Sequence, residues 1–119
     1  MKNICIAFLT TCMFVACAQG GFNEEEIVID ENTAVIDVRS EQEYKAGHLK
    51  NSINIPHVQI KDKIGEYVQD KNQKIIVFCR SGRRSGIAKN VLSEMGYTNV
   101  INAGSYEKLK ATERKKQKE

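Results

Sequence analysis

Cys79 is followed by Arg80, Ser81, Gly82, Arg83, Arg84, Ser85 and Gly86. Cysteine chemistry runs through the thiolate, which forms where cations, helix N-termini and hydrogen-bond donors outweigh desolvation. Three arginines stand within five residues of the sulfur. The small residues among them let successive backbone N–H groups turn into one anion-binding concavity. Gly82 and Gly86 admit close backbone approach or positive φ. Such a loop suits a cysteine nucleophile that works on an anion, with a thiol pKa below the free value of about 8.5. An inert core cysteine would explain the apolar run before Cys79 but needs no arginines. A solvated basic loop would explain the charge but not the cysteine, glycines and serines set within it.

The elements that must hold this loop are legible on both sides. Ile75, Ile76, Val77 and Phe78 read as a short buried strand. Ile87, Ala88, Val91, Leu92 and Met95 fall at helical spacing, so a helix is expected over 85–95, with Ser85 as its N-cap and Gly96 just past its end. The sulfur then sits where a strand hands over to the positive end of a helix. Upstream, 34–38 reads as a second strand, followed by the neighbouring charges of Asp37 and Arg39, and 27–29 as a further short one. Ser40 to Lys45 reads as a capped helical turn, with Glu43 at the capping-box position and Gly47 as its stop. His48 fits a loop histidine bonded to backbone better than a general base. Asn51 suits a left-handed turn. A strand over 53–56 ends at Pro56. Val58, Ile60, Ile64, Tyr67 and Val68 give a helical stripe weakened by Gly65, and 70–73 a turn. Residues 99–101 read as a last short strand and Ala103-Gly104 as a turn. Strands alternating with helices imply parallel pairing through right-handed crossovers, hence a small α/β fold with helices on both faces of a parallel sheet.

The loop Cys79-Arg80-Ser81-Gly82-Arg83-Arg84-Ser85 resembles the active loop of the rhodaneses, the single-domain sulfurtransferases. Asp37-Val38-Arg39, Glu43-Tyr44-Lys45-Ala46-Gly47-His48-Leu49 and Asn54-Ile55-Pro56 are similar to the family's N-terminal signature, in its order. The stretch from Leu92 to Val100, with Asn102-Ala103-Gly104, is similar to its end. The resemblance covers roughly 28–109. It implies the rhodanese-like fold and a sulfane sulfur carried as a persulfide on Cys79. The donor would be a small anion such as thiosulfate, and the acceptor a thiol or cyanide. It further implies substrate binding by Arg80, Ser81, Gly82, Arg83, Arg84 and Ser85, with Arg80 and Arg84 as the preferred pair and Arg83 turned outward. Asp37, Arg39 and His48 take structural roles near the site, and Tyr106 stands in for an aromatic residue that follows the family's final glycine turn. No metal or organic cofactor is called for; two histidines without a ligand cluster are poor metal evidence. Asn51-Ser52 departs from the family's usual Gly-Ala.

Three other readings compete. Phosphatases and arsenate reductases of this fold place arginine after five intervening residues, where this chain has Ser85, with Arg84 one position earlier. A non-catalytic binding module or a sulfur carrier in the cell envelope is the alternative; a complete loop around Cys79 argues against a mere partner-binding module. A thiol–disulfide oxidoreductase would want a resolving cysteine nearby.

The 119 residues suit one domain, expected over 27–109, and a net charge of +3 is too small to indicate nucleic-acid binding. Residues 1–18 read as a secretory signal with Lys2 ahead of a short apolar stretch. Phe14-Val15-Ala16-Cys17 resembles a lipobox, with phenylalanine where leucine is usual, so that Cys17 becomes a lipidated N-terminus; Ala16-Cys17-Ala18 alternatively suits ordinary signal peptidase. The lipoprotein reading is preferred for the short segment and the placement of its cysteine. It makes the protein an exported one of the periplasm or cell envelope, held to the membrane by a lipid anchor and a polar tether over 19–26; a monomer is expected. Cys5, Cys12 and Cys17 lie in the signal, leaving Cys79 with no disulfide partner in a compartment where disulfides persist. Residues 110–119 read as a charged, solvated helical tail, with Leu109 packing back on the sheet.

Overall fold

The computed structural model describes residues 27–118. Four parallel strands, β1 (Ala34–Asp37), β2 (Ile53–Asn54), β3 (Ile75–Cys79) and β4 (Val100–Ser105), form one sheet in the order β2-β1-β3-β4. Between and after them run α1 (Glu41–Ala46), α2 (Ile60–Tyr67), α3 (Arg83–Glu94) and α4 (Tyr106–Lys118). The two central strands are buried along their whole length, which is why they read as continuous apolar runs rather than as alternation.

The pleat divides their side chains between two clusters. Ala34, Ile36 and Val38 with Ile75, Val77 and Cys79 face Ile60 and Ile64 of α2 and Ala88 and Leu92 of α3. Val35, Ile76 and Phe78 face the other way, onto Leu49, Ala103 and Leu109. The two-residue period therefore sends the Cys79 sulfur to the side covered by α3.

Several expectations are met in detail. Ser40 and Glu43 form a reciprocal capping box on α1. Asn51 has φ 66° and Gly96 φ 95°, the left-handed turns expected there. Leu109 is buried against the second face.

Others need correction. Residues 27–29 are not a strand: Ile27 and Ile29 pack as irregular chain against the second cluster, so their apolar character reports packing without pairing. The strand expected over 53–56 is only Ile53–Asn54, although Ile55 and His57 still donate their N–H groups to Asp37 and Val38. Val58 and Tyr67 are exposed and leave the stripe to Ile60, Ile64 and Val68, because a 3-10 turn over His57–Gln59 sets Val58 out of phase with α2. Ile87 is also exposed.

Ser85 is not an N-cap. The left-handed Gly82 (φ 95°) takes that place, and α3 begins at Arg83. Nor is Ala103-Gly104 a turn: β4 continues to Ser105 through a bulge. Val77 pairs with Asn102 and Phe78 with Gly104, so Ala103 is the extra residue. The tail, by contrast, is helical as expected: α4 continues past Leu109 to Lys118.

Candidate active site

β3 ends on Cys79 and the chain turns through Arg80, Ser81 and Gly82 into α3. The turn needs Gly82 twice over. Its φ lies in the left-handed region, and a Cβ there would approach the Gly104 Cα to 3.3 Å. That turn aims the Gly82 N–H at the sulfur, at 2.9 Å from Sγ, and the first turn of α3 brings the Ser85 hydroxyl to 3.5 Å. Burial pushes the Cys79 thiol up, but the Ser85 hydroxyl and then the backbone N–H groups of Ser85, Gly82 and Ser81 outweigh it, bringing the thiol down to about 7. The depression expected from the sequence is present. Its leading causes are hydrogen-bond donors, however, where the arginine charges were expected to share the work.

The arginines do not act alike. Arg84 is half-buried and clamped by Glu43 of α1, Nη1 donating to Oε1 at 2.7 Å and Nη2 to Oε2 at 3.1 Å. The guanidinium, with the Ser40 contacts, holds the Glu43 carboxyl at about 2 although burial opposes it. Arg84 in turn is raised, first by its bond to Glu43 and also by the charge on Cys79. Arg80, Arg83 and Ser81 are exposed.

Asp37 and Arg39 form a buried frame beside this loop. Arg39 Nη2 donates to Asp37 Oδ2 at 2.7 Å and to the Gly47 carbonyl at 2.8 Å, and its guanidinium lies 4.3 Å from the Tyr106 ring centroid. Asn54 ties the same segment to β2 by donating to the Asp37 and Arg39 carbonyls, each at 3.0 Å. His48 stacks on Tyr44, with Nδ1 2.8 Å from the Tyr44 carbonyl. It is thus engaged with α1 and not with the sulfur. Tyr106 stacks on Phe78 at 6.3 Å between centroids.

Two residues at the loop were not singled out from sequence as site residues. Glu43 was legible as a cap and as part of the family's N-terminal signature, but not as the partner of Arg84. Asn102 was legible only as part of the family's closing motif; its Oδ1 lies 2.7 Å from the Ser85 Oγ. The bulge that brings Asn102 there has no sequence signal beyond Gly104. Cys17, the signal and the tether lie outside the described residues. Among the described residues, no group of three His, Cys, Asp or Glu side chains is placed to hold a metal ion.

A nucleophile-type cysteine at a strand-to-helix turn of a small parallel α/β sheet defines a class of cysteine-loop domains. Within that class, the model of the rhodanese-like domain matches residues 23–112, and the chain belongs to that family. The chain is 51% identical over 69 residues to the thiosulfate sulfurtransferase PspE of Escherichia coli, covering 58% of this chain and 66% of that one. It is 33% identical over 82 residues to the thiosulfate:glutathione sulfurtransferase of Saccharomyces cerevisiae, covering 60% and 59%. A solved structure of a rhodanese with anions from E. coli superposes with a TM-score of 0.61 at 47% identity, covering 63% of this chain and 88% of that one. The chain spans at most about two thirds of the length of these curated relatives.

Proposed function

We propose that this protein is a sulfurtransferase that moves a sulfane sulfur from a small anionic donor such as thiosulfate to a thiol or cyanide through a persulfide on Cys79. The observation that carries the reading is the sulfur itself: buried, yet met by the Gly82 N–H at 2.9 Å and the Ser85 hydroxyl at 3.5 Å, with the thiol lowered to about 7. About half of it is thiolate at neutral pH. The names of two relatives, both sulfurtransferases using thiosulfate, support the donor class. The anions in the related E. coli structure support an anion cradle.

In this reading the Cys79 thiolate attacks the outer sulfur of thiosulfate. A sulfur–sulfur bond forms to Sγ, the bond to the sulfonate sulfur breaks, and sulfite leaves with the electron pair. The terminal sulfur of the persulfide carries one negative charge and rests against the N–H groups of the loop from Arg80 to Ser85. An acceptor thiolate or cyanide then takes that sulfur, and the Sγ thiolate is the leaving group, a ping-pong cycle. Arg84, fixed by Glu43, faces the departing sulfite; Arg80 and Arg83 draw the dianion in from solvent. Asp37, Arg39 and His48 hold the surrounding turns. The working unit in this reading is a monomer. The N-terminal sequence supports export to the periplasm or cell envelope, with Cys17 as the lipid anchor, the domain over 27–109 and flanking tether and tail.

Mass spectrometry after thiosulfate treatment tests the proposal. A gain of one sulfur atom is expected, reversed by cyanide and absent in Cys79→Ser. Sulfur transfer that persists in Cys79→Ser would remove the mechanism. For the anchor, equal palmitate labelling of wild type and Cys17→Ala would rule it out.

A further inference from the structure

The Ser85 hydroxyl has one proton and three acceptors within reach: Asn102 Oδ1 at 2.7 Å, the Gly82 carbonyl at 3.0 Å and Cys79 Sγ at 3.5 Å. Counting lone pairs narrows the choice. The Gly82 carbonyl also receives the Gly86 N–H at 3.0 Å, the first bond of the helix, and Asn102 Nδ2 at 3.3 Å. Those two donors fill it. Asn102 Oδ1 accepts the Gly104 N–H at 2.9 Å, which fixes which way the amide points and leaves one lone pair free, facing Ser85. The β4 bulge creates this arrangement by aligning Asn102 with Val77 and Gly104 with Phe78. Although Asn102 lies at the surface, its amide spans three groups of the site.

We propose that Asn102 is a positioning residue for sulfur transfer: its Oδ1 holds the Ser85 hydroxyl proton while Sγ is a thiol or the inner sulfur of a persulfide, and yields it when Sγ becomes a thiolate. This rests on the persulfide reading of Cys79. In the thiol, S–H donates to the Ser85 oxygen and the hydroxyl donates on to Asn102. In the thiolate, the hydroxyl swings to Sγ, and Asn102 Oδ1 keeps the Gly104 N–H. In the persulfide, inner Sγ is uncharged and the hydroxyl returns to Asn102. When the acceptor's lone pair forms its bond to the outer sulfur, the Sγ–S bond breaks, its electron pair goes to Sγ, and the hydroxyl swings back to meet it. Asn102 and the sulfur thus compete for one proton. The competition sets how readily Sγ ionises and how well it leaves.

Few other charges act on the sulfur. β4 carries no ionisable side chain, Asp37 of β1 is bound by Arg39, Arg80 and Arg83 of the loop are exposed, and the guanidinium whose charge acts on Cys79 is Arg84, itself paired with Glu43.

The test reads the thiol directly, by iodoacetamide alkylation against pH, with persulfide formation followed separately by mass. Asn102→Asp, whose carboxylate grips the hydroxyl more firmly, is expected to raise the thiol pKa by about one unit and so slow alkylation at pH 7 several-fold. Asn102→Ala, which removes the competitor, is expected to lower it. In a Ser85→Ala background the effect of Asn102→Ala should vanish and that of Asn102→Asp should fall by at least half. Shifts of the same sign in both variants, no shift, or equal shifts with and without the Ser85 hydroxyl would overturn the proposal, because a role confined to holding the bulge does not depend on Ser85. Those readouts stand whether or not the sulfur is transferred, so failure of the persulfide reading shows up separately, as no mass gain.

Discussion

Burial of Cys79 opposes ionisation, and the donors around it reverse that opposition. The Ser85 hydroxyl is foremost among those that favour the thiolate, so its removal has a definite consequence. Ser85→Ala should raise the thiol from about 7 toward its free value. A rise of one unit would cut the thiolate fraction at pH 7 about five-fold. The alkylation rate at pH 7 should fall by that factor and recover at high pH; an unchanged pH profile would show that backbone N–H groups alone ionise the sulfur. In the wild type, kcat/KM should rise with pH through about 7 and level off above it, since the reactive form is the deprotonated one. The folded value lies below the unfolded one, so the associated stability is complete above about 9 and is lost as pH falls through about 7. The cysteine and its arginines were legible because they are contiguous in the sequence and a core cysteine needs no cations. The donors were less so. A backbone N–H has no letter in the sequence, and Ser85, read as a helix cap, instead lies within the first turn of α3 with its hydroxyl turned toward the sulfur.

α1 is less than two turns long, yet it fixes the loop. Its capping box was readable from Ser40 and Glu43, because that motif is local. The partner of Glu43 was not, since Arg84 lies 41 residues away and only the sheet order brings the two together. The start of α3 was missed for a related reason. The usual cap signal is a polar side chain, whereas Gly82 caps by its left-handed backbone alone. Glu43 has a folded pKa of about 2 against an ordinary 4.5. Its contribution is therefore complete above about 4.5 and lost as pH falls through about 2. Glu43→Gln should cost about 2 kcal/mol at pH 7, in line with charge-assisted hydrogen bonds to a half-buried pair. The difference from wild type should shrink steadily between pH 4.5 and 2 in urea unfolding. A difference that stays constant over that range would mean the residue acts through the uncharged cap and not through Arg84. In the proposed transfer from thiosulfate, sulfite release followed in a single turnover should slow in the same variant, because an Arg84 freed from α1 no longer holds one orientation.

At the scale of the whole molecule the sheet is covered unevenly. One face has α2 and α3, both legible from helical spacing of apolar residues. The other rests on Leu49, Ala103 and Leu109, with Ile27, Ile29, Ile101 and Tyr106 at its margin. That second layer was hard to read because α4 carries its packing on very few residues among many charges. It is nonetheless tied to the site from behind: Tyr106 stacks on Phe78, next to Cys79 in β3, and lies under the Arg39 guanidinium. The parallel fold was readable from alternation alone, whereas this closure depends on where β4 ends. Leu109 is 2% exposed, and Leu109→Ala should cost about 2–4 kcal/mol through the cavity it leaves. Truncation after Thr112 keeps both Tyr106 and Leu109 and should change stability by less than about 0.5 kcal/mol. The Cys79 thiol should titrate alike in both, because its sulfur faces the opposite cluster. Thermal unfolding of the two variants separates packing from length: if truncation cost as much as Leu109→Ala, the charged end of α4, and not its one buried leucine, would be what closes that face.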